Sequence, residues 1–314
     1  MNPMKVMVGG GCGFIGTALV SGLVAGGVHA IAVDDLSTGH PLRLRNERFQ
    51  FEKGDTGSLR FMSRILKTLR PDVYVHAAGS SDPLKGEEDP SVDLKGTLFS
   101  FVETLKSIEE SPVSHIILIS SGEVYGVANE GSPDEGTIPV PDTSYGASYL
   151  SAEHYLSIVA RRMGIPYTIV RLAPVFGPGQ SMEGEAGFVT SWARSFLRGD
   201  QTDMPKMRGN GKRIRDFLFV DDVVGAMFSI IFEKKAGLFH LGSGNPLSER
   251  ELFTMFRSFA GFDGDIVYEG KYSPGSMRRI LGHQTLLQET GWFPETTLDE
   301  GVSRTVEWFR RWLG

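Results

Sequence analysis

Cysteine is nearly absent from this sequence, since Cys12 is the single one in 314 residues. One cysteine cannot close an internal disulfide or build a zinc cluster, so a reducing compartment fits and no metal site is predicted. Cys12 stands among glycines, and this setting favours a small packed loop residue over a reactive thiol.

Long apolar runs and concentrated basic charge are also absent. The apolar stretches are strand-sized, and the opening MNPMKVMVGG has no secretory h-region or cleavage site, which predicts a cytoplasmic protein with no membrane partner. The net charge of −6 is spread along the chain without a basic stripe, so no nucleic-acid partner is expected.

The composition is that of an ordinary globular chain, with 40% apolar and 22% charged residues. The length suffices for one large domain and a smaller lobe, and it is too short for three ordinary domains. Beyond Arg171 the segment APVFGPGQSMEGEAGF predicts a long loop that opens the second lobe. We therefore expect a first domain at 1–172, a C-terminal lobe at 173–314, and a return of 216–235 to the first domain.

Strand and helix patterns alternate through the first domain. Residues 4–8 predict a strand and FIGTALVSGLVAGG a helix. Further strands are predicted at HAIAVDD, RFQFEKGD, PDVYVHAAG, VSHIILISS and IPYTIVRL, with helices at LRFMSRILKTLR, near 91–107 and after SYGAS. This alternation predicts an α/β fold, a doubly wound parallel sheet covered by helices on both faces.

A glycine turn joins the first strand to the first helix. Its GxxGxxG spacing lets the backbone approach a pyrophosphate, which then binds free N–H groups at the helix N-terminus. Asp34 ends the second strand, where a carboxylate binds both ribose hydroxyls and repels a 2′-phosphate, so NAD is predicted over NADP. The predicted cofactor-binding residues are Gly10, Gly13, Phe14, Ile15, Gly16 and Asp34.

Asp55 follows the third strand in the segment KGD. Two roles fit its carboxylate: it holds the adenine amino group, or it caps the N-terminus of the helix that follows. The sequence leaves both roles open.

Motifs along nearly the whole chain resemble one family. They are GGCGFIG, VDDLSTG, KGD, HAAG, ISSGEVYG, SYGAS, RLAPVFGPG, GNGKRIRDFLFVDDVV and HLGSGNPLSERELF. Their order resembles that of the extended short-chain dehydrogenase/reductases, in particular the NAD-dependent nucleotide-sugar epimerases and dehydratases. The resemblance implies a Rossmann-like first domain, a smaller lobe that holds the nucleotide-sugar, and a homodimer through two helices of the first domain.

The resemblance also assigns roles to residues. Tyr145 matches the tyrosine that takes the proton from a sugar hydroxyl while the carbon passes hydride to NAD, and Ser121 matches the hydroxyl residue bound to the same oxygen. Arg215 matches a residue that pairs with the sugar diphosphate, a role that suits the guanidinium fork. The cofactor loop is matched by His76, Ala77, Ala78 and Gly79, and the substrate site by Ser81. Each match also has a plainer alternative. Tyr145 could pack in the core, and Ser121 could be a turn residue at the end of its strand. Arg215 could form a surface ion pair, and His76 could be purely structural.

Tyr149 departs from the family motif YxxxK, in which a lysine binds the nicotinamide ribose and lowers the pKa of the tyrosine. A unit charge at ~6 Å and an effective dielectric constant of ~20 contributes ~3 kcal/mol, or ~2 pK units. Tyr149 can still bind the ribose without supplying the charge. This departure predicts a slow or alkaline-shifted enzyme, or a non-catalytic NAD-binding regulator.

The triplet Ser121, Gly122 and Glu123 keeps half of a dehydratase pattern. Glu123 resembles the base that takes the proton from sugar C5, which a ketone at C4 acidifies, whereas Gly122 lacks the matching acid. Glu183, Glu185 or a water are candidates for that acid, and a solvated turn residue is the alternative for Glu123.

These features together predict NAD-dependent dehydration of a nucleotide-linked hexose or hexosamine through a 4-keto intermediate. The altered positions are compatible with the UDP-N-acetylhexosamine 5,6-dehydratases of tunicamycin-like antibiotic pathways. A UDP-hexose 4-epimerase is the rival enzyme. Pro174 and Ser273 replace an asparagine and an arginine that contact the nucleotide in relatives. Arg278 or Arg279 is a candidate to compensate, and Arg278 is assigned to the substrate site, with two solvated arginines as the alternative.

Overall fold

The computed structural model describes residues 3–42, 44–79, 83–127, 131–180, 188–198, 205–264, 266–270 and 277–313. The strands are β1 (Lys5–Gly9), β2 (His29–Asp34), β3 (Phe49–Lys53), β4 (Val73–His76), β5 (His115–Ser121), β6 (Tyr167–Leu172), β7 (Val175–Phe176), β8 (Lys206–Arg208), β9 (Ile214–Arg215), β10 (Leu218–Phe219), β11 (Gly237–Leu241), β12 (Leu247–Ser248), β13 (Val267–Glu269) and β14 (Arg278–Arg279). The α-helices are α1 (Phe14–Ala25), α2 (Leu59–Leu69), α3 (Pro83–Glu88), α4 (Pro90–Asp93), α5 (Ser100–Glu110), α6 (Ser144–Met163), α7 (Phe188–Arg198), α8 (Val220–Phe232), α9 (Glu249–Ala260), α10 (Gln284–Thr290) and α11 (Leu298–Leu313).

Seven strands form the main sheet in the order β3-β2-β1-β4-β5-β6-β11. All neighbouring pairs are parallel. The order of the strands along the chain reverses between β1 and β4, and in such sheets ligands bind in the crevice outside the carboxyl ends at that point. The predicted Rossmann-like parallel sheet is therefore confirmed.

Both faces of the sheet are covered, as the alternation along β1 illustrates. Val6 and Val8 pack into one apolar cluster with α1 and α8, while Met7 between them packs into a second cluster with α2, α5 and α6. Successive strand residues point to opposite faces, so a strand buried on both sides is apolar throughout. Each fully buried aliphatic side chain contributes about 1.5–3 kcal/mol relative to an exposed one.

Two elements differ from the expectation drawn from the sequence. The helix expected near 91–107 is α4 followed by a π-helical turn, Leu94–Phe99, and then α5. Strand β11 was not predicted from the sequence, although it pairs with β6 along its whole length.

Helix α8 packs against α1 so closely that a Cβ on Gly22 would lie 2.5 Å from Cγ1 of Val224.

The smaller lobe has an aromatic core of its own. Trp192 packs edge-on against Phe253, and Phe176 packs edge-on against both Phe219 and Phe256. The two-residue strands β9, β12 and β14 form a small sheet in which Arg215 lies beside Arg279. In the described ranges, no helix is long and apolar enough to cross a membrane.

Candidate active site

A cavity of about 970 Å³ lies at the carboxyl ends of the main-sheet strands and extends to the smaller lobe. Its lining includes Gly10, Gly13, Phe14, Ile15, Gly16, Asp34, Asp55, Ala77, Ala78, Gly79, Ser121, Glu123, Tyr145, Tyr149 and Arg215. Arg278, the arginine assigned to the substrate from sequence, is exposed and is not among the lining residues, whereas Arg279 is buried and lines the cavity. Ser81, Glu183, Glu185 and Ser273 lie outside the described residues.

The glycine turn brings the backbone to the cavity without side chains in between. Gly10 has a φ of +75°, and a Cβ there would lie 2.5 Å from the backbone N of Ala78. A Cβ on Gly16 would lie 2.0 Å from the carbonyl oxygen of Gly10. Helix α1 begins after Gly13 with no side-chain cap and no acidic residue in its first turn. Its N-terminal N–H groups are thus available to a pyrophosphate.

Asp34 is buried beside this turn at the end of β2. Its Oδ2 accepts a hydrogen bond from the N–H of Cys12 at 2.9 Å, and its Oδ1 accepts one from Leu36 at 2.8 Å. Each carboxylate oxygen retains a further lone pair for a ribose hydroxyl. Cys12 is buried as predicted, and burial raises the pKa of its thiol to about 11.

Asp55 is exposed and lines the cavity. Its carboxylate accepts a hydrogen bond from the N–H of Gly57 at 2.7 Å, while the N-cap of α2 is Ser58. Of the two roles that the sequence left open, helix capping is therefore wrong.

The loop after β4 passes next to the glycine turn. His76, at the end of that strand, is buried, its Nδ1 is 3.0 Å from the hydroxyl of Tyr74, and its ring is 4.5 Å from that of Phe101. Burial lowers the pKa of His76 to about 3, so the imidazole is neutral and structural. Together with the glycine turn and Asp34, this loop forms a cradle that fits NAD.

Tyr145 meets Ser121 where helix α6 approaches the end of β5. The helix is capped by Thr143, whose hydroxyl accepts a hydrogen bond from the N–H of Gly146 at 3.0 Å. Ser121 Oγ accepts a hydrogen bond from the N–H of Glu123 at 3.1 Å and is also hydrogen-bonded to Tyr145. Burial, the neighbouring Tyr149 and the charge of Glu123 raise the pKa of Tyr145 well above its ordinary value. Tyr145 is therefore protonated at neutral pH.

Tyr149 lies where the family lysine would stand. Its ring centroid is 4.9 Å from that of Tyr145, and its hydroxyl is hydrogen-bonded to Tyr145 and Thr97. The hydroxyl is 2.7 Å from the point where a Cβ on Gly79 would lie, so a side chain at that position would displace the phenol. Burial raises the pKa of Tyr149, and the buried carboxylate of Asp93 raises it further. The neutral phenol of Tyr149, with the carboxylate of Asp93 close by, thus stands where the family has the cation of a lysine.

Glu123 forms an ion pair inside the cavity. Its Oε1 is 2.6 Å from Nη1 of Arg279, whose Nη2 donates to the carbonyl oxygen of Gly126 at 3.2 Å. Burial opposes the ionisation of Glu123, but the charges of Arg279 and Arg215 outweigh it and hold its pKa below the ordinary value. Burial lowers the pKa of Arg215 to about 10. Glu123 is therefore an anion at neutral pH.

A buried polar network supports these residues from behind, and sequence reasoning missed it. Arg171 Nη2 donates to Glu153 at 2.6 Å, Arg171 Nη1 donates to the hydroxyl of Tyr125 at 2.6 Å, and Ser120 Oγ donates to Glu153 at 2.5 Å. The Tyr125 hydroxyl is also 2.7 Å from Nε2 of His240. The network joins β5, β6, β11 and α6 behind Ser121 and Tyr145. Its sequence signal is an arginine within the apolar strand YTIVRL.

The chain matches known proteins over most of its length. Residues 6–242 match the NAD dependent epimerase/dehydratase family. The UDP-glucose 4-epimerase of Mycolicibacterium smegmatis is 31% identical, with 98% of this chain and 99% of the relative covered. The structure of the UDP-glucose 4-epimerase from Thermotoga maritima with UDP-glucose is 32% identical, with a TM-score of 0.92 over 99% of this chain and 100% of that one. That of the dTDP-glucose 4,6-dehydratase from Streptomyces venezuelae with NAD bound is 25% identical, with a TM-score of 0.90 over 98% and 97%.

This chain therefore belongs to the NAD-dependent epimerase/dehydratase family. It is an NAD-dependent enzyme of the type that acts on nucleotide-sugars. The resemblance drawn from sequence motifs and the predicted cofactor are confirmed.

Proposed function

We propose that the enzyme dehydrates a UDP-linked hexose or hexosamine, with UDP-N-acetylglucosamine as a leading candidate substrate. The observation that carries this proposal is the carboxylate of Glu123 in the cavity, close enough to Tyr145 for its charge to raise the pKa of the phenol. An anion there makes the ionisation of Tyr145 harder. A 4-epimerase needs no such carboxylate, whereas a dehydratase needs a base for the proton on sugar C5.

The side chains divide the chemistry among them. The glycine turn and Asp34 would hold NAD, which would supply the acceptor for hydride from sugar C4 and the donor for its return. Tyr145, in the fraction of the enzyme in which its phenol is ionised, takes the proton of the C4 hydroxyl, and Ser121 hydrogen-bonds to the same sugar oxygen. Glu123 then takes the proton from C5, the electrons of that C–H bond form a C5=C6 double bond, and the C6 hydroxyl leaves with a proton as water.

The proton for the departing hydroxyl must come from a group other than residue 122. Gly122 carries no acid, and a Cβ there would lie 2.9 Å from Cδ1 of Leu281 and 3.3 Å from the carbonyl oxygen of Leu172. Return of hydride to C4 gives a 5,6-ene, and return to C6 gives a 4-keto-6-deoxy sugar. We favour the 5,6-ene because the triplet departs from that of the 4,6-dehydratases.

A second candidate is 4-epimerisation of a UDP-hexose. It is favoured by the absence of an acid at Gly122 and by the 32% identity to a UDP-glucose 4-epimerase. In that reaction the sugar turns within the cavity, hydride returns to the opposite face of C4, and Glu123 serves only to pair with Arg279.

Turnover in deuterium oxide distinguishes the candidates. The NAD-loaded enzyme is incubated with UDP-N-acetylglucosamine, UDP-glucose and dTDP-glucose, and products are analysed by mass spectrometry and proton NMR. Loss of water supports dehydration, and Glu123→Gln should abolish it. Inversion at C4 without loss of water or deuterium at C5 supports epimerisation. Bound NAD without turnover of any of the three favours a regulator.

We also propose that the enzyme is a homodimer. Tyr155 and Ile158 on helix α6 are 47% and 59% exposed and three positions apart, so they share one face of the helix. Phe99, directly before α5, is 57% exposed. Light scattering should give twice the monomer mass, and Ile158→Glu should reduce it to that of a monomer; a monomeric native protein would contradict the proposal.

A further inference from the structure

Three arginines gather where the smaller lobe meets the cavity. Arg215 on β9 and Arg279 on β14 are register partners in the small sheet, and both are buried with the cavity beside them. Arg213 is close enough for its charge to act on Glu123. This parallel pairing places the guanidinium groups of Arg215 and Arg279 side by side. They lie on the wall of the cavity that the smaller lobe forms.

Glu123 approaches this group from the main sheet. It follows β5 in a short 3₁₀ helix, Gly122–Tyr125, and reaches Arg279 at 2.6 Å across the boundary between the lobes. The side chain of Arg279 is 3% exposed and that of Glu123 is 28% exposed, so the glutamate forms the accessible half of the pair. A ligand that enters the cavity therefore meets the carboxylate before it meets the guanidinium.

The guanidinium groups lie close enough to act on one another. The charges of Arg279 and Arg213 lower the pKa of Arg215 in addition to its burial, whereas the carboxylates of Glu123 and Glu249 raise it. Burial of like charges is costly unless they are paired, which the lowered pKa of Arg215 reflects. A diphosphate brings at least two negative charges and bidentate oxygens that suit guanidinium groups.

We propose that Glu123 is an internal anion that occupies Arg279 in the resting enzyme and is displaced when the diphosphate of the nucleotide-sugar binds. This inference rests on the proposed function in one respect, namely that the substrate carries a diphosphate. Displacement frees the carboxylate from the arginines and leaves it in the cavity near Tyr145. The base for C5 then becomes available only when substrate is present.

The direction in which the affinity for UDP changes when Glu123 is replaced tests this proposal. If Glu123 competes with the diphosphate, Glu123→Gln should bind UDP about two- to fivefold more tightly than the native protein, the range expected for a partly exposed ion pair. If Glu123 instead holds Arg279 in place for the ligand, the variant should bind UDP more weakly. Calorimetry on the NAD-loaded protein measures the change, and Glu123→Ala gives the same prediction should the glutamine variant not fold.

Two controls separate competition from a general charge effect. Glu249→Gln removes a carboxylate that also acts on Arg213 and Arg215 but does not line the cavity, so it should change UDP affinity less. Uridine, which has no phosphate, should bind both proteins equally. Equal gains in the two variants, or weaker binding by Glu123→Gln, would overturn the inference. If the native protein binds neither UDP nor dTDP, the proposed function is overturned as well.

Discussion

Replacing Tyr149 with lysine tests how the active site compensates for its missing cation. The phenol of Tyr149 is buried, hydrogen-bonded to Tyr145, and close enough to Asp93 for that carboxylate to raise its pKa. In the proposed reaction Tyr145 acts as a base, so the rate should rise as pH rises through its pKa. A cation at position 149 lowers that pKa and should move the limb of the pH–rate profile to lower pH.

The expected size follows from the distance between the two side chains. The rings of Tyr145 and Tyr149 are 4.9 Å apart. An ammonium ~6 Å from the phenolic oxygen, at an effective dielectric constant of ~20, contributes ~3 kcal/mol, or ~2 pK units. Asp93 is fully buried and accepts a hydrogen bond from Ser144 at 2.7 Å. The charge of Asp93 is present both before and after the replacement, so Tyr149→Lys alone should shift the limb by about 2 units, and Tyr149→Lys with Asp93→Asn by at least as much.

The assay is the pH dependence of kcat/KM on whichever nucleotide-sugar the enzyme turns over. Tyr149→Phe serves as the matched control, since it removes the hydroxyl and adds no charge. It also removes the hydrogen bond that raises the pKa of Tyr145, so it should move the limb to lower pH by less than Tyr149→Lys does. An unmoved profile in both lysine variants, with NAD binding retained, would refute the electrostatic account of Tyr149.

Three further predictions concern the cofactor cradle and the buried network. Asp34→Ala should weaken NAD binding by about 10- to 100-fold, because the ribose loses its hydrogen bonds to a charged group. The variant should also prefer NAD over NADP less strongly. Unchanged affinities in calorimetry would contradict the role assigned to Asp34. Gly16→Ala places a methyl group against the backbone of the turn, so NAD binding should be lost and the thermal midpoint should fall, with a cost of about 1–3 kcal/mol. Arg171→Met leaves Glu153 buried without its partner and should lower the free energy of unfolding by about 3–5 kcal/mol in urea titrations, whereas the double replacement with Glu153→Met should cost less; equal costs would argue against the pair.

The main sheet was predictable because its strands are buried on both faces and therefore stand out as apolar runs. The exception, β11, pairs with β6 through the register of Gly237 with Thr168, a partner far away along the chain. Its segment GLFHL follows α8 in a region that local pattern assigns to the second lobe. The π-helical turn Leu94–Phe99 was not predictable from the sequence either, because one extra residue in a turn leaves the apolar spacing almost unchanged.

The candidate site was predictable to the extent that its residues follow strand ends. Asp34 and Ser121 are the last residues of parallel strands and the glycine turn follows one, and the carboxyl ends of such strands meet at one edge of the sheet. The choice between Arg278 and Arg279 was not predictable. Successive residues of a strand point in opposite directions, so the register of β14 on β9 decides which arginine faces the cavity.

The sequence by itself determined the family, the cofactor and the set of candidate reactive groups, because these depend on short motifs whose residues are neighbours along the chain. Only the tertiary structure decided the charge state of those groups. Glu123 is held as an anion by Arg279, and Tyr145 is held neutral by burial and by that same anion. Electrostatic interactions depend on distance in space and on burial, and both arise only when β14 of the smaller lobe is brought to the end of β5.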